Sequence, residues 1–384
     1  MSKRISRNLV VQGTALVTAA DWNTELDAKH NRLVAWMRAQ KLSGVLLRRN
    51  ENVAWLTGGA VEVRVLTPSE TGVAALLVTS DGKRYYFTTE NEAPRLHDEE
   101  FGTLDFEPVL FPWYADDTVA AATKIAGGPL GSDTPAPGLT PVNIYPLRAS
   151  LSQTEIERYR WLGAETAAAT AESLHQVEPG LSEYDLEALT AANLLRRGIL
   201  PSVYLFAVDD RIYKYKHAAA RGARLKQYGM LNLCARKWGL AVSITRFVHF
   251  GSLPAELAAR FNSAAQVNAA LLHATRVGAT SAELFRVAQN AYAQQDFPGE
   301  ERFHHQGGPT GYFEREWIAT PNGSEIVADH QAFAWNPSIR GGKAEDTVIL
   351  RNGKIEWLTA TPELPVIHAT VEGIEYPAAG VLVK

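Results

Sequence analysis

Only one cysteine, Cys234, stands in the 384 residues. An intrachain disulfide is therefore excluded, and the chain reads as one that folds in a reducing compartment, with the cytoplasm expected. Long apolar runs are missing too: none approaches the ~18 residues that a membrane span needs. Lys3, Arg4 and Arg7 open the chain, but Gln12, Gly13 and Thr14 interrupt the apolar stretch of a signal peptide, so secretion is not expected. There is no basic excess. With a formal charge of −4 the sequence offers no cluster of Lys and Arg to meet phosphates, and nucleic-acid binding is not expected. Arg48-Arg49 and Arg196-Arg197 read as solvated pairs. Low-complexity segments are absent, and a hydrophobic content of 46% suffices for a large core in two domains of ~100–200 residues each.

Leu26, Leu33, Val34, Trp36 and Met37 share one helical face between about Glu25 and Ala39, and Gly44-Val45-Leu46-Leu47 reads as a short buried strand. Residues 72–78 and 83–87 flank Ser80-Asp81-Gly82, a hairpin signal because Asp and Gly accept the backbone angles of a tight turn. An α/β domain over residues 1–148 is expected, closing after the loop-rich residues 131–138. Ser152-Gln153-Thr154-Glu155 then starts a helix, the serine capping and the glutamate reaching back. That helix runs to about Gln176, and Gly180-Leu181-Ser182-Glu183 opens another to about Arg197. A second helical pair spans residues 254–276 and 281–294, joined by Gly278-Ala279-Thr280. Two helix pairs, each followed by strands, make an internal repeat across residues 149–384.

Chemistry-bearing side chains concentrate in His304-His305-Gln306-Gly307-Gly308-Pro309-Thr310-Gly311, Asn336-Pro337-Ser338-Ile339 and Lys343-Ala344-Glu345-Asp346-Thr347. This series resembles the active-site half of the pita-bread peptidases, the family of methionine aminopeptidase, prolidase, aminopeptidase P and creatinase. Asn52-Val53-Ala54-Trp55-Leu56-Thr57-Gly58 is similar to a segment of the creatinase and prolidase amino-terminal domain. The resemblance implies an α/β (α+β) chain: a creatinase-like amino-terminal domain at 1–148, then a pita-bread domain at 149–384.

It also implies a test, since the family's dinuclear metal centre takes Asp, Asp, His, Glu and Glu in that order. The second aspartate precedes Ile-Thr-Arg, here Ser243-Ile244-Thr245-Arg246, and the first lies eleven positions earlier, at Asn232, with Gly239 at the family's hairpin glycine. The histidine of His-Gly-x-x-His-x-x-Gly falls on Gly308. The first glutamate falls on Asn336, and only the last survives, as Glu345. A second functional histidine of the aminopeptidase P type falls on Arg315. Amide, hydroxyl and bare backbone do not replace three carboxylates and an imidazole, so no dinuclear metal site and no other cofactor is expected.

Creatinase resembles this family in fold and works without metal. That likeness makes His217, in Tyr213-Lys214-Tyr215-Lys216-His217, the candidate general acid/base. His304 and Glu345 are expected to position substrate or water, with Arg246 or Arg315 taking the charge of a substrate carboxylate. Asn232, Ser243, Asn336 and Lys343 are expected to line the same cavity, Lys343 and Arg246 being candidates to neutralise Glu345. On a strand His304 and His305 point to opposite faces, so His304 is expected inside with Gln306 sharing its face. Gly307 and Gly308 leave room for a ligand or form a tight turn. Cys234 shares the face of Asn232 and reads as a small buried hydrophobe or a nucleophile. Family precedent implies a homodimer in which Arg64, Trp55 and Trp113-Tyr114 of a partner close the pocket.

The expected reaction is metal-independent hydrolysis of a C–N bond in a small polar, carboxylate-bearing molecule. Two alternatives stand beside it. One is a non-catalytic pseudopeptidase that binds a ligand or short peptide. The other is an Xaa-Pro-type aminopeptidase with an atypical metal set drawn from His217, His304 or His305, and Glu345.

Overall fold

The structure is a computed structural model that describes residues 4–384. Two compact units divide it, Met1–Arg158 and Tyr159–Lys384. The division falls within the first turns of the helix Gln153–Gln176. Lys29 pairs with Glu155 at 2.8 Å, and Arg158 with Glu25 at 2.7 Å, which keeps the first residues of the helix Gln153–Gln176 with the first unit.

In the first unit the helix Ala19–Ala39 starts where the Thr18 hydroxyl accepts from the Asp21 amide. It buries Leu26, Leu33 and Met37, three of the apolar face positions read from the sequence. Strand Gly44–Arg49 follows and lies inside a six-stranded sheet. The order across that sheet is Glu107–Phe111, Arg84–Thr89, Thr71–Thr79, Gly44–Arg49, Leu130–Ser132 and Thr140–Pro141. Thr71–Thr79 and Arg84–Thr89 are the antiparallel hairpin expected around Asp81-Gly82, with Gly82 at φ +90°. Trp55 is 1% exposed and packs beneath the Lys29 ammonium, 5.9 Å from its ring. It is a core residue and no part of a lid. Arg64 lies in the loop after Gly59, within 3.5 Å of the Glu62 carboxylate, while Trp113 and Tyr114 stand exposed on the unit's surface.

The helix Gln153–Gln176 opens with a reciprocal cap, Ser152 N donating to Glu155 Oε2 and Glu155 N to Ser152 Oγ. The second unit then repeats one scheme twice. Gln153–Gln176 and Glu183–Leu195 precede a sheet ordered Val381–Val383, Leu240–His249, Tyr228–Lys237 and Leu200–Val208. Ala255–Ala274 and Ser281–Gln294 precede a sheet ordered Gly307–Thr310, Gln331–Trp335, Asp346–Arg351 and Lys354–Trp357. Capping boxes open two of these helices, at Ser182 with Asp185 and at Thr280 with Glu283, each cap contributing roughly 0.5–2 kcal/mol.

Tyr228–Lys237 and Leu240–His249 form a hairpin whose two-residue turn, Trp238-Gly239, has φ of 54° and 77°. Those angles match the twist of the strands, and only glycine takes the second without strain. The turn fixes the register: Asn232 lies opposite Thr245 and Cys234 opposite Ser243. Side chains alternate along a strand, so Asn232, Cys234, Ser243 and Thr245 share one face and Arg246 belongs to the other. Thr347 joins the two sheets on that first face: its hydroxyl accepts from Ser243 N at 2.8 Å and donates to Ser243 O at 2.9 Å. Among the described residues no helix is long and apolar enough to cross a membrane.

Candidate active site

The Thr347 link brings Glu345 onto the face that carries Ser243 and Thr245. Thr245 Oγ1 donates to Glu345 Oε2 at 2.5 Å, Lys343 Nζ to the same oxygen at 2.7 Å, and Arg315 Nη2 to Oε1 at 2.9 Å. Arg315 Nη1 also donates to Ser243 Oγ at 2.8 Å. The Arg315 guanidinium thus spans two positions, 243 and 345, that the family resemblance assigns to metal ligands. Burial alone would raise the Glu345 pKa, but Lys343 and Arg315 outweigh it and hold the carboxyl at about 2. Glu345 is an anion with two fixed counter-ions.

A dinuclear centre does not fit here. Asn232 and Asn336 are neutral amides, Ser243 is a hydroxyl already bonded to Arg315, and Gly308 has no donor. One carboxylate answered by an ammonium and a guanidinium leaves no negative charge for two divalent cations.

Beside this triad lie three imidazoles. His217 follows the short helix Asp210–Lys214 and is exposed; His304 is buried and His305 half-buried. His304 Nε2 stands 2.9 Å from His217 Nε2, the rings crossing edge to face. The His304 and His305 rings stack at 4.5 Å, and those of His217 and His305 are 5.8 Å apart. One ring nitrogen from each of the three falls within 4.8 Å of the others.

The expectation that only one of the adjacent histidines enters is corrected. Strand pairing starts at Gly307, so residues 304–306 are a connector after the 3₁₀ turn Glu300–Phe303, and strand alternation does not govern them. The turn is tied to the loop of His217 by Lys216, whose Nζ is 2.6 Å from Glu300 Oε1 and 3.1 Å from Ser338 O. Lys216 is the site residue that the sequence reading passed over, and His305, which that reading turned to the outer face, enters beside His217 and His304. The Pro298-Gly299 break before the histidine pair was the available signal for a non-strand segment.

All three imidazoles are held neutral. Burial lowers the pKa of His304 far below its usual range, with Lys343, His305 and His217 adding to the effect. Burial, then Arg315, His217 and Lys343, bring His305 down to about 4. His217 is lowered by burial, Lys343 and Arg315, against an opposing pull from Glu345. Cys234 goes the other way. Burial pushes its thiol up to about 11, and its sulfur sits 3.2 Å from Ser243 Oγ, so it packs as a small buried residue and no thiolate forms near neutrality.

Several expected residues are placed elsewhere. Arg246 faces away from Glu345's carboxylate, because position 246 has the opposite parity to 243 and 245. Its guanidinium is fully engaged by Asp346 at 2.5 Å, Thr361 Oγ1, Thr359 O and Thr245 O. It is a buried structural ion pair and takes no substrate charge. Gln306 is also turned from the imidazoles: Tyr292 donates to its Oε1 at 2.9 Å and its Nε2 donates back to His304 O. Asn232 and Asn336 are buried, and Asn336 Oδ1 has no hydrogen-bond partner.

Gly307 and Gly308 do not leave room. A Cβ on Gly308 would collide with the Trp317 carbonyl oxygen, and one on Gly307, at φ +91°, with the Ala334 carbonyl oxygen. Both glycines permit close backbone packing. Gly308→Ala is expected to destabilise the second unit by about 1–3 kcal/mol through overpacking, measured as a lowered urea midpoint; an unchanged midpoint would mean that the Trp317 segment yields freely.

Comparison with known proteins agrees with this architecture. Residues 29–183 match the Creatinase/Prolidase N-terminal domain and residues 157–352 match Metallopeptidase family M24. No curated protein sequence matches the chain. Among solved structures, the Xaa-Pro dipeptidase from Bacillus anthracis superposes with a TM-score of 0.70 at 16% identity, over 94% of this chain and 100% of that one. The prolidase from Pyrococcus horikoshii OT3 gives 0.70 at 17% identity, over 90% and 99%. The N-terminal domain of FACT complex subunit SPT16 from chickpea, Cicer arietinum, gives 0.64 at 13% identity, over 88% and 97%. At these identities the likeness is one of fold.

Proposed function

The chain belongs to metallopeptidase family M24, and from that premise we propose that it is a hydrolase working without the family's dinuclear metal centre, on a C–N bond of a small polar molecule that bears a carboxylate. In that reaction water adds its hydroxyl to the carbon and its hydrogen to the departing nitrogen. The observation that carries the reading is the Arg315–Glu345–Lys343 arrangement beside three neutral imidazoles.

Two cations against one carboxylate leave a local excess of one positive charge. Lys343 Nζ has one partner among the described residues and therefore two remaining N–H donors, and Arg315 Nε has no hydrogen-bond partner. An anionic group of substrate would complete both. The imidazoles, with His217 open to solvent, supply the place where water is oriented and its proton moved. A cytoplasmic homodimer, with Arg64 of one subunit closing the pocket of the other, belongs to the same proposal and rests on the family resemblance.

The Xaa-Pro reading draws support from the fold likeness to dipeptidases, and the pseudopeptidase reading from the replacement of four ligand positions out of five. One panel separates the three. Amidino acids, N-carbamoyl amino acids, N-acyl amino acids and Xaa-Pro dipeptides are incubated with the full chain, products are read by mass spectrometry, and binding by thermal shift. Turnover of a carboxylate-bearing non-peptide substrate, lost in His217→Ala with the fold intact, is the expected result. Stabilisation by ligands with no product from any class would replace the hydrolase by a binding protein, and cleavage confined to Xaa-Pro dipeptides would restore the peptidase.

A further inference from the structure

His217, His304 and His305 are more than three polar residues in one cavity. Their ring nitrogens converge from two separate segments, and those segments are clamped to each other by Lys216 on Glu300 and Ser338. We infer that this trio is a mononuclear transition-metal site, distinct in place and donor type from the carboxylate-rich centre of the family. The inference deepens the hydrolase reading, and rests on it only for the ion's use in catalysis.

Distances come first. A tetrahedral ion with nitrogen donors at ~2.0–2.1 Å holds those donors roughly 3.3 Å apart. The Nε2 pair of His304 and His217 stands at 2.9 Å, and the whole set lies within 4.8 Å. These separations bracket the required one, and seating an ion takes rotation of the rings, with His305 giving up the bond that its Nδ1 accepts from Gly307 N at 3.2 Å.

Proton accounting points the same way. Two neutral imidazoles meeting nitrogen to nitrogen share the ring proton of one of them along that line, and a single cation can stand where that proton stands.

The surroundings also select the ion. Lys343 and Arg315 oppose any added cation, and Glu345, held by both, is not a donor to it. A hard cation that needs carboxylates, such as Mg²⁺ or Ca²⁺, finds none here. Imidazole donors instead suit Zn²⁺, Co²⁺, Ni²⁺ or Cu²⁺. Three protein ligands leave a fourth position open on the side of exposed His217, and the neighbouring cations favour an anion there: hydroxide or the carboxylate of a substrate.

The full chain, stripped with chelator, is titrated with Cu²⁺ and Co²⁺ and followed by calorimetry, by the Co²⁺ visible spectrum and by electron paramagnetic resonance of the Cu²⁺ form. About one ion per chain is expected, with nitrogen hyperfine structure from imidazole ligands. His217→Ala, at an exposed position that folding tolerates, should weaken binding by roughly a hundredfold. His368→Ala, an exposed histidine 2.8 Å from Glu375 and outside the trio, should leave it unchanged. The spectrum of the unsubstituted chain counts imidazoles whether or not His304 and His305 variants fold. Equal affinity in His217→Ala and the unsubstituted chain, or a Cu²⁺ spectrum without imidazole nitrogens, would overturn the site. An ion held by the trio in a chain that turns over nothing leaves the site standing and sinks the hydrolase; undiminished turnover by the stripped chain keeps the hydrolase and removes the ion from it.

Discussion

Glu345→Ala is expected to destabilise the unit Tyr159–Lys384 by about 3–5 kcal/mol, the cost of leaving buried charge without its partner. Lys343 is 7% exposed and has no other partner among the described residues; Arg315 keeps Ser243 and the Glu314 carbonyl. Two cations would then face each other in a poorly solvated cavity. The double variant Glu345→Gln with Lys343→Met removes the ammonium together with the anion and leaves Arg315 its neutral bonds. It should therefore be more stable than the single variant by at least about 1 kcal/mol, a coupling of the size found for contacting pairs. Urea unfolding followed through that unit's buried Trp335 tests both figures. A Glu345→Ala chain as stable as the parent would show that water reaches the two cations freely, and the account of a dry site held by ion pairing would fall with it.

Acid should weaken the first unit through a different carboxylate. Glu25 is buried against Arg158, which donates Nη1 to Oε2 at 2.9 Å and Nη2 to Oε1 at 2.7 Å, and against Lys29 at 2.6 Å; the Thr154 hydroxyl adds a short bond. Burial acts to raise its pKa, but Lys29 and Arg158 prevail and set it at about 2 against an ordinary 4.5. A carboxyl depressed in the folded state contributes its full stability above the unfolded pKa and loses it as pH falls toward the folded one. The first unit should accordingly weaken between about pH 4.5 and pH 2, and Glu25→Gln should flatten that limb. At neutral pH Glu25→Ala should cost about 3–5 kcal/mol, because Arg158 gives up a bidentate partner and Lys29 loses one of its carboxylates while keeping Glu155. Near-ultraviolet circular dichroism of Trp22 and Trp55 against pH and urea reads both; a pH profile identical in Glu25→Gln and the parent would assign the acid limb to other groups.

What could be read from the sequence follows the reach of local rules. Helix starts at Ser152, Ser182 and Thr280 are written in the cap and the acid three residues on, and the structure has all three. The hairpin at Gly82 was equally open to reading. At the site, the slot of Arg315 was found from motif spacing, and the structure puts its guanidinium on Ser243 and Glu345. Arg246 was misassigned although its parity with Ser243 held the answer: three steps along a strand reverse the face. His305 was assigned to the wrong face for the opposite reason. A strand rule was applied to a connector, where chain direction comes from a 3₁₀ turn and a distant Lys216–Glu300 pair that no local pattern announces. Gly308 illustrates a third limit, since the absence of a side chain looks like space until the neighbouring backbone is known.

That last residue has a bearing on how this chain could change. Asn232→Asp, Ser243→Asp and Asn336→Glu would return three carboxylates to the positions that the family resemblance gives to ligands, each by altering one side chain. Gly308→His would not complete the set, because the Trp317 carbonyl fills the direction in which any Cβ must leave the strand. Completion of the family's ligand pattern by substitution alone is blocked at one position out of four, and the block is in main chain. A laboratory lineage selected for peptidase activity should therefore regain it, if at all, by insertions or deletions around residues 312–318 or by recruiting the imidazoles already present. Where main chain fills the place of a side chain, restoring the residue type does not restore the ligand.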